Sequence, residues 1–108
     1  MSEIKLELHT DEILDALDEQ VEAALTAVGM QAETYAKQLA PVDTGRLRNS
    51  ITNEVDVSDK SVTIGSAVEY APFVEQGTSK RRAKPYLRPA IIDHRDDYQR
   101  IVENILKK

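Results

Sequence analysis

His9 and His94 are the only imidazoles in the chain, and neither has a serine or a second histidine at the spacing of a catalytic triad or a ligand pair. Asp93 and Asp97 lie four apart, so on a helix they share a face with His94 close by. One imidazole with two solvated carboxylates is an incomplete ligand set for zinc or calcium, and the same pattern describes a charged outer helix face. Glu69 and Glu75 lie six apart around Tyr70 and Phe73. Paired carboxylates can do acid–base work, but no substrate-positioning set accompanies them. The glycines stand scattered at positions 29, 45, 65 and 77, so no phosphate-cradling loop exists. The chain has no cysteine, which excludes disulfides, thiolate zinc, iron–sulfur clusters and thiol catalysis. The expectation is therefore no catalytic residue, no metal and no cofactor.

The remaining chemistry is electrostatic. Lys80, Arg81, Arg82 and Lys84, with Arg88, form a basic patch that could meet phosphates. The whole chain is acidic, with a net charge of −5, and that loop alone supplies only a handful of phosphate contacts. The charge is unevenly spread: residues 1–35 carry −8, residues 36–92 carry +3, and residues 93–108 are neutral. A chain with one acidic end and one basic stretch can pair with copies of itself, acidic face to basic loop. A solvated acidic helix face is the plainer account of the same run.

The elements that must carry these residues fit one domain over residues 1–108, with 41% apolar and 31% charged residues. No apolar run approaches the roughly 20 residues of a membrane span. Acids throughout the first fifteen residues leave no apolar segment for a secretory signal. Ile4, Leu6 and Leu8 alternate with charged residues and predict a strand. Thr10 or Asp11 can then cap a helix. Its apolar stripe is Leu14, Leu17, Val21, Leu25, Val28, Ala32, Tyr35 and Leu39, predicting one helix over 11–39, about 44 Å long. Gly29 inside it suggests a close backbone approach or a kink. Pro41 ends it. Residues 50–57 and 61–66 alternate around Ser58-Asp59-Lys60 and predict a hairpin. Pro72 fits the first turn of a short helix and Gly77 an αL end. A final helix should start at Pro89, with Leu87, Ile91, Tyr98, Ile101 or Val102, and Ile105 on its stripe, His94 interrupting that stripe, and Lys107 and Lys108 at its negative end. The sum is an α+β fold: an antiparallel three- or four-stranded sheet packed against a long N-terminal helix, with a short helix and a C-terminal helix.

Two blocks stand out. The first runs from Ala40 to Ile51 and contains Pro41, Asp43, Thr44, Gly45, Arg46 and Arg48. The second contains Gly65-Ser66, then Tyr70, Ala71, Phe73, Glu75, Gly77 and Thr78, and closes with Pro85, Leu87 and Pro89. In this order and spacing they resemble the small neck or minor tail component family of long-tailed double-stranded-DNA phages and prophages, a head–tail joining or tail-completion group. The basic insertion at Lys80 to Lys84 departs from that pattern, at a place where a variable loop is expected.

The resemblance implies a virion protein, made in the bacterial host cytoplasm. It implies a ring between the portal connector and the tail tube, and not an enzyme. Its partners would be further copies of itself, connector or head-completion proteins, and tail-tube or tail-terminator proteins. DNA would be touched only in the lumen, and no membrane is involved. A ring needs a heterologous interface, and Lys80, Arg81, Arg82, Lys84, Arg88, Arg46 and Arg48 are its candidates. The alternative is a small nucleic-acid-binding module using the basic loop 79–88. Locally, Asp43 and Thr44 can cap the turn at Gly45, and Arg46 or Arg48 can pair with Glu69 or Glu75. Tyr70, Phe73 and Val74 are expected to pack on the hairpin and the long helix, with a buried Phe73 worth about 3–5 kcal/mol on truncation. The segment from Thr78 to Lys84 is expected to be an exposed, mobile loop.

Overall fold

In the computed structural model, residues 2–41 and 45–106 are described. Asp43 and Thr44, expected to cap the turn at Gly45, and Lys107 and Lys108, expected at the last helix end, lie outside the described residues. The described elements form an α+β fold. β1 (Ser2–Glu7), β2 (Thr52–Asp56) and β3 (Ser61–Ser66) make an antiparallel three-stranded sheet in the order β1-β3-β2. The register sets Leu6 and Val55 on either side of Val62, and Ile4 and Asn53 on either side of Ile64. Val62 and Ile64, on the central strand, are fully buried against α2 (Asp18–Leu39).

The buried face of α2 is Val21, Ala24, Leu25, Val28, Gly29, Ala32 and Ala36. Four of these carry no more than a methyl group, so neighbours approach the backbone closely. At Gly29 an added Cβ would lie 2.6 Å from Asn53 Oδ1 and 3.3 Å from Val62 Cγ1. The Asn53 amide meanwhile donates to Glu33 Oε1 at 2.8 Å, one turn along the helix. The glycine thus marks the point where β2 lies against α2, as its place in the stripe suggests.

The single helix expected over 11–39 is two. α1 (Asp11–Asp15) ends at Ala16, and Leu17 starts α2 in extended backbone, with φ −70° and ψ 152°. Thr10 Oγ1 caps α1 by accepting from the Ile13 amide, and Gln20 Oε1 accepts from the Leu17 amide at the start of α2. The break has an electrostatic logic. It creates two helix N-termini, and Asp11 and Glu12 occupy one first turn while Asp18 and Glu19 occupy the other. It also resets the helical phase. Ile13 enters the core, and Leu14 and Leu17 of the expected stripe turn outward at 54% and 72% exposure. Leu39 at the other end is exposed as well.

Pro41 does end α2, and Ala40 before it is extended. α3 (Arg46–Ser50) follows Gly45, whose φ of 75° is the left-handed region that glycine occupies without strain. The final helix is also two, α5 (Leu87–Ile92) and α6 (Arg95–Leu106), and it starts at Leu87 rather than Pro89. His94 sits at the break and stacks on Tyr35 of α2 with ring centroids 3.6 Å apart. Asp97 accepts from the Tyr35 hydroxyl at 2.8 Å and from Arg100 at 2.8 Å. The Tyr35 bond first, and then His94, hold the Asp97 carboxyl below its usual range. Tyr98 and Val102 carry α6 into the core, and the Tyr98 hydroxyl donates to the Ala90 carbonyl. The phase reset yields a direct test. Leu25→Ala should cost about 2–5 kcal/mol in chemical denaturation. Leu17→Ala should stay within about 0.5 kcal/mol, whereas one continuous helix would make both costly.

Candidate assembly interface

The second motif block builds α4 (Ala71–Gln76), with Pro72 in its first turn. Ala71 is fully buried, and Tyr70 and Val74 are half-buried against the core. Phe73, expected inside, is 60% exposed. On so short a helix one apolar side can be buried, and Ala71 with Val74 occupies it, which leaves Phe73 facing water.

Gly77 ends α4 with φ 77° and ψ 176°, a positive φ but not the αL conformation expected. It also lies where the returning chain passes, for an added Cβ would sit 2.7 Å from the Ala83 amide nitrogen. Residues 78–84 form a strap stitched at both ends. Thr78 Oγ1 accepts from the Lys80 and Arg81 amides, and the Thr78 amide donates to Arg81 O at 2.9 Å. The Lys84 amide donates to Val74 O at 2.9 Å. The expected exposure of this segment holds, and in place of a free loop there is a hydrogen-bonded turn.

Glu75 secures the far side. Its Oε1 accepts from the Tyr86 and Leu87 amides at 3.0 and 2.9 Å, and its Oε2 from the Arg88 amide at 3.1 Å. The next residue, Pro89, has no amide hydrogen. One carboxylate therefore supplies the acceptors that the start of α5 lacks. Burial first, and then the Glu75 charge, push the Tyr86 phenol up to about 12. Tyr86 and Leu87 are buried beside it.

Between α3, α4 and the strap lies an open groove of about 850 Å3. Its apolar lining is Pro41, Leu47, Tyr70, Phe73 and Val74, and its cationic lining is Arg46, Arg81, Arg82 and Lys84, with Thr78 between. Arg46 is held in place: its guanidinium forks onto both oxygens of Glu69 at 3.1 and 3.0 Å and lies 5.5 Å from the centre of the Tyr70 ring. Of the expected pairings, Arg46–Glu69 forms, and Glu75 is taken by backbone amides instead. The backbone amide of Glu69 itself, and then Arg46, hold the Glu69 carboxyl below its usual range.

Of the seven interface candidates, Arg46, Arg81, Arg82 and Lys84 meet at this groove. Lys80, Arg48 and Arg88 are exposed but do not line it. Leu47 and Val74 line the groove without being among the interface candidates, because an apolar residue on a short helix reads the same whether it borders core or groove. Among the described residues no group of three or more potential metal ligands gathers, and no helix is long and apolar enough to cross a membrane. The arrangement is suited to binding a surface with apolar and acidic groups. Glu75→Ala should destabilise by about 1.5–3 kcal/mol, the range for a charged hydrogen bond. Phe73→Ala should stay within about 0.5 kcal/mol. Thermal melts of the two variants check the assignment of one as a fastener and the other as surface.

Neither a curated protein nor a solved structure matches the chain. The family described as "Bacteriophage HK97-gp10, putative tail-component" matches residues 5–77, from β1 through α4 to Gly77, and stops just short of the basic strap. With more than half of its residues in that match, the chain belongs to the HK97-gp10-like family of bacteriophage tail components.

Proposed function

We propose that this tail-component chain joins head to tail, as one copy in a ring between the connector and the tail tube. The observation that carries the reading is the groove: an exposed aromatic ring at Phe73 beside the cations of Arg81, Arg82 and Lys84. An exposed aromatic bordered by arginines is the composition of a protein–protein contact centre. The segregation of charge along the chain supports a heterologous contact, in which one patch meets a different patch on the next copy. The other partners in this reading are connector or head-completion proteins on one side and tail-tube or tail-terminator proteins on the other. DNA passes through the lumen. The chain acts in the virion as a structural part, with no catalytic step. A nucleic-acid-binding module is the weaker reading, because three of the basic side chains line an apolar groove rather than an open cationic face.

The test neutralises Lys80, Arg81, Arg82 and Lys84 together. The melting temperature of the purified variant should change little, because these side chains are exposed and the strap is held by backbone bonds and Thr78. Complementation of a phage lacking the protein should fail at head–tail joining. Normal joining would remove the strap from assembly. A strongly salt-dependent affinity of the isolated protein for duplex DNA would favour the nucleic-acid module instead.

A further inference from the structure

At the opposite end of the molecule from the groove, the corner between α1 and α2 has the complementary chemistry. Leu14 and Leu17 protrude there at 54% and 72% exposure, although both side chains are large and apolar. Around them Asp11, Glu12, Asp15, Asp18 and Glu19 are all exposed, and no basic residue lies between positions 10 and 36. The helix break accounts for Asp11, Glu12, Asp18 and Glu19, which sit at two helix N-termini, but not for the two leucines. Among the described residues they are the large aliphatic side chains exposed beside these acids, and the core already has Ile13 in the place Leu14 was expected to take.

The groove is the converse. Phe73, Tyr70 and Val74 offer apolar surface, and Arg81, Arg82 and Lys84 offer positive charge. Two apolar patches with opposite charged surroundings match in both terms: burial of leucine against aromatic surface, and charge pairing around the edge. We infer that the groove of one copy receives the α1–α2 corner of a second copy, with Leu14 and Leu17 set against Phe73. This rests on the assembly reading above and names the surfaces that carry it.

One chain cannot make this contact with itself. The corner lies at the N-terminus of α2, and Pro41 and Leu47 of the groove lie beyond its C-terminus. A helix of 22 residues places these ends about 33 Å apart. The sheet agrees with this placement. Glu7, leading to α1, pairs with Ser61, while Ser2 pairs with Ser66, which leads to α4. The molecule is 50 Å long and only 21 and 20 Å across. Corner and groove are thus different patches at opposite ends, and their pairing is head to tail. Repetition of such a contact gives a ring if the rotation between copies closes.

The chain has no native cysteine, so single thiols report contacts without background. Leu17→Cys, Phe73→Cys and Met30→Cys each replace an exposed side chain, and Met30, at 63% exposure on α2, is the control. Pairwise mixtures of the purified, full-length variants are oxidised, and the disulfide-linked dimers are counted. The Leu17→Cys chain should link to the Phe73→Cys chain several-fold more than either links to itself or to the Met30→Cys chain. Salt should reduce the excess, since the edge charges are screened. The double variant Leu17→Cys/Phe73→Cys should give a ladder of higher oligomers. Equal linking to the Met30 control overturns the inference, as does a preference of either chain for itself. Complementation with the strap-neutralised chain separates the two proposals. If joining is lost but the thiols show no preference, the assembly function stands and the groove takes another virion protein. If the thiols link as expected but joining is normal, self-docking stands and the joining role falls.

Discussion

The small-residue face of α2 constrains everything packed on it. Ala24, Gly29, Ala32 and Ala36 let β2, β3, α5 and α6 lie close to one helix, and each is fully buried or nearly so. At Gly29 the tolerance is below one carbon atom, since a Cβ there would overlap the Asn53 side chain that holds Glu33. A helix this central fixes the two ends of the molecule relative to each other. The elbow with α1 stands at one end, and Pro41 turns the chain into the groove at the other. Little at either end can shift without disturbing the same buried face, because close-packed interiors have few voids to absorb movement.

Much of this architecture was legible in the residue pattern. Strict alternation locates all three strands within a residue or two, and Ser58-Asp59-Lys60 marks the hairpin turn. Pro41, Gly45 and Gly77 are visible in the sequence as chain breaks, and the two glycines take positive φ. The breaks at Ala16-Leu17 and Asp93-His94 were not, because neither contains glycine or proline. Leu14, Leu17 and Val21 keep perfect helical steps across the first break, so periodicity alone joins what helix-end electrostatics separates. The Phe73 side chain alone points to the core, while its short helix has room to bury only its other side. Composition marks the basic strap but carries no sign of its fastening. Glu75 acts eleven to thirteen residues away on backbone amides, which leave no trace in side-chain pattern.

The candidate interface combines a rigid part and a charged part. Arg46 is tied to Glu69 and lies against Tyr70, so one guanidinium in the groove is already oriented and loses little freedom when a partner arrives. Arg81, Arg82 and Lys84 hang from a backbone turn and contribute charge with greater reach. Such a division suits a contact that must find its partner by long-range attraction and then settle into one orientation.

The strap's attachment has an evolutionary consequence. Its ends are held by the Thr78 hydroxyl, by main-chain bonds to Val74 and Arg81, and by the Glu75 carboxylate just beyond it. Apart from Thr78 and the close approach of Ala83 to Gly77, none of the holding groups is a strap side chain. Positions 79 to 82 can therefore change identity while the scaffold keeps its shape, and the family match ends just where this freedom begins. Divergence concentrated there would alter the charge displayed beside the groove while leaving the fold untouched.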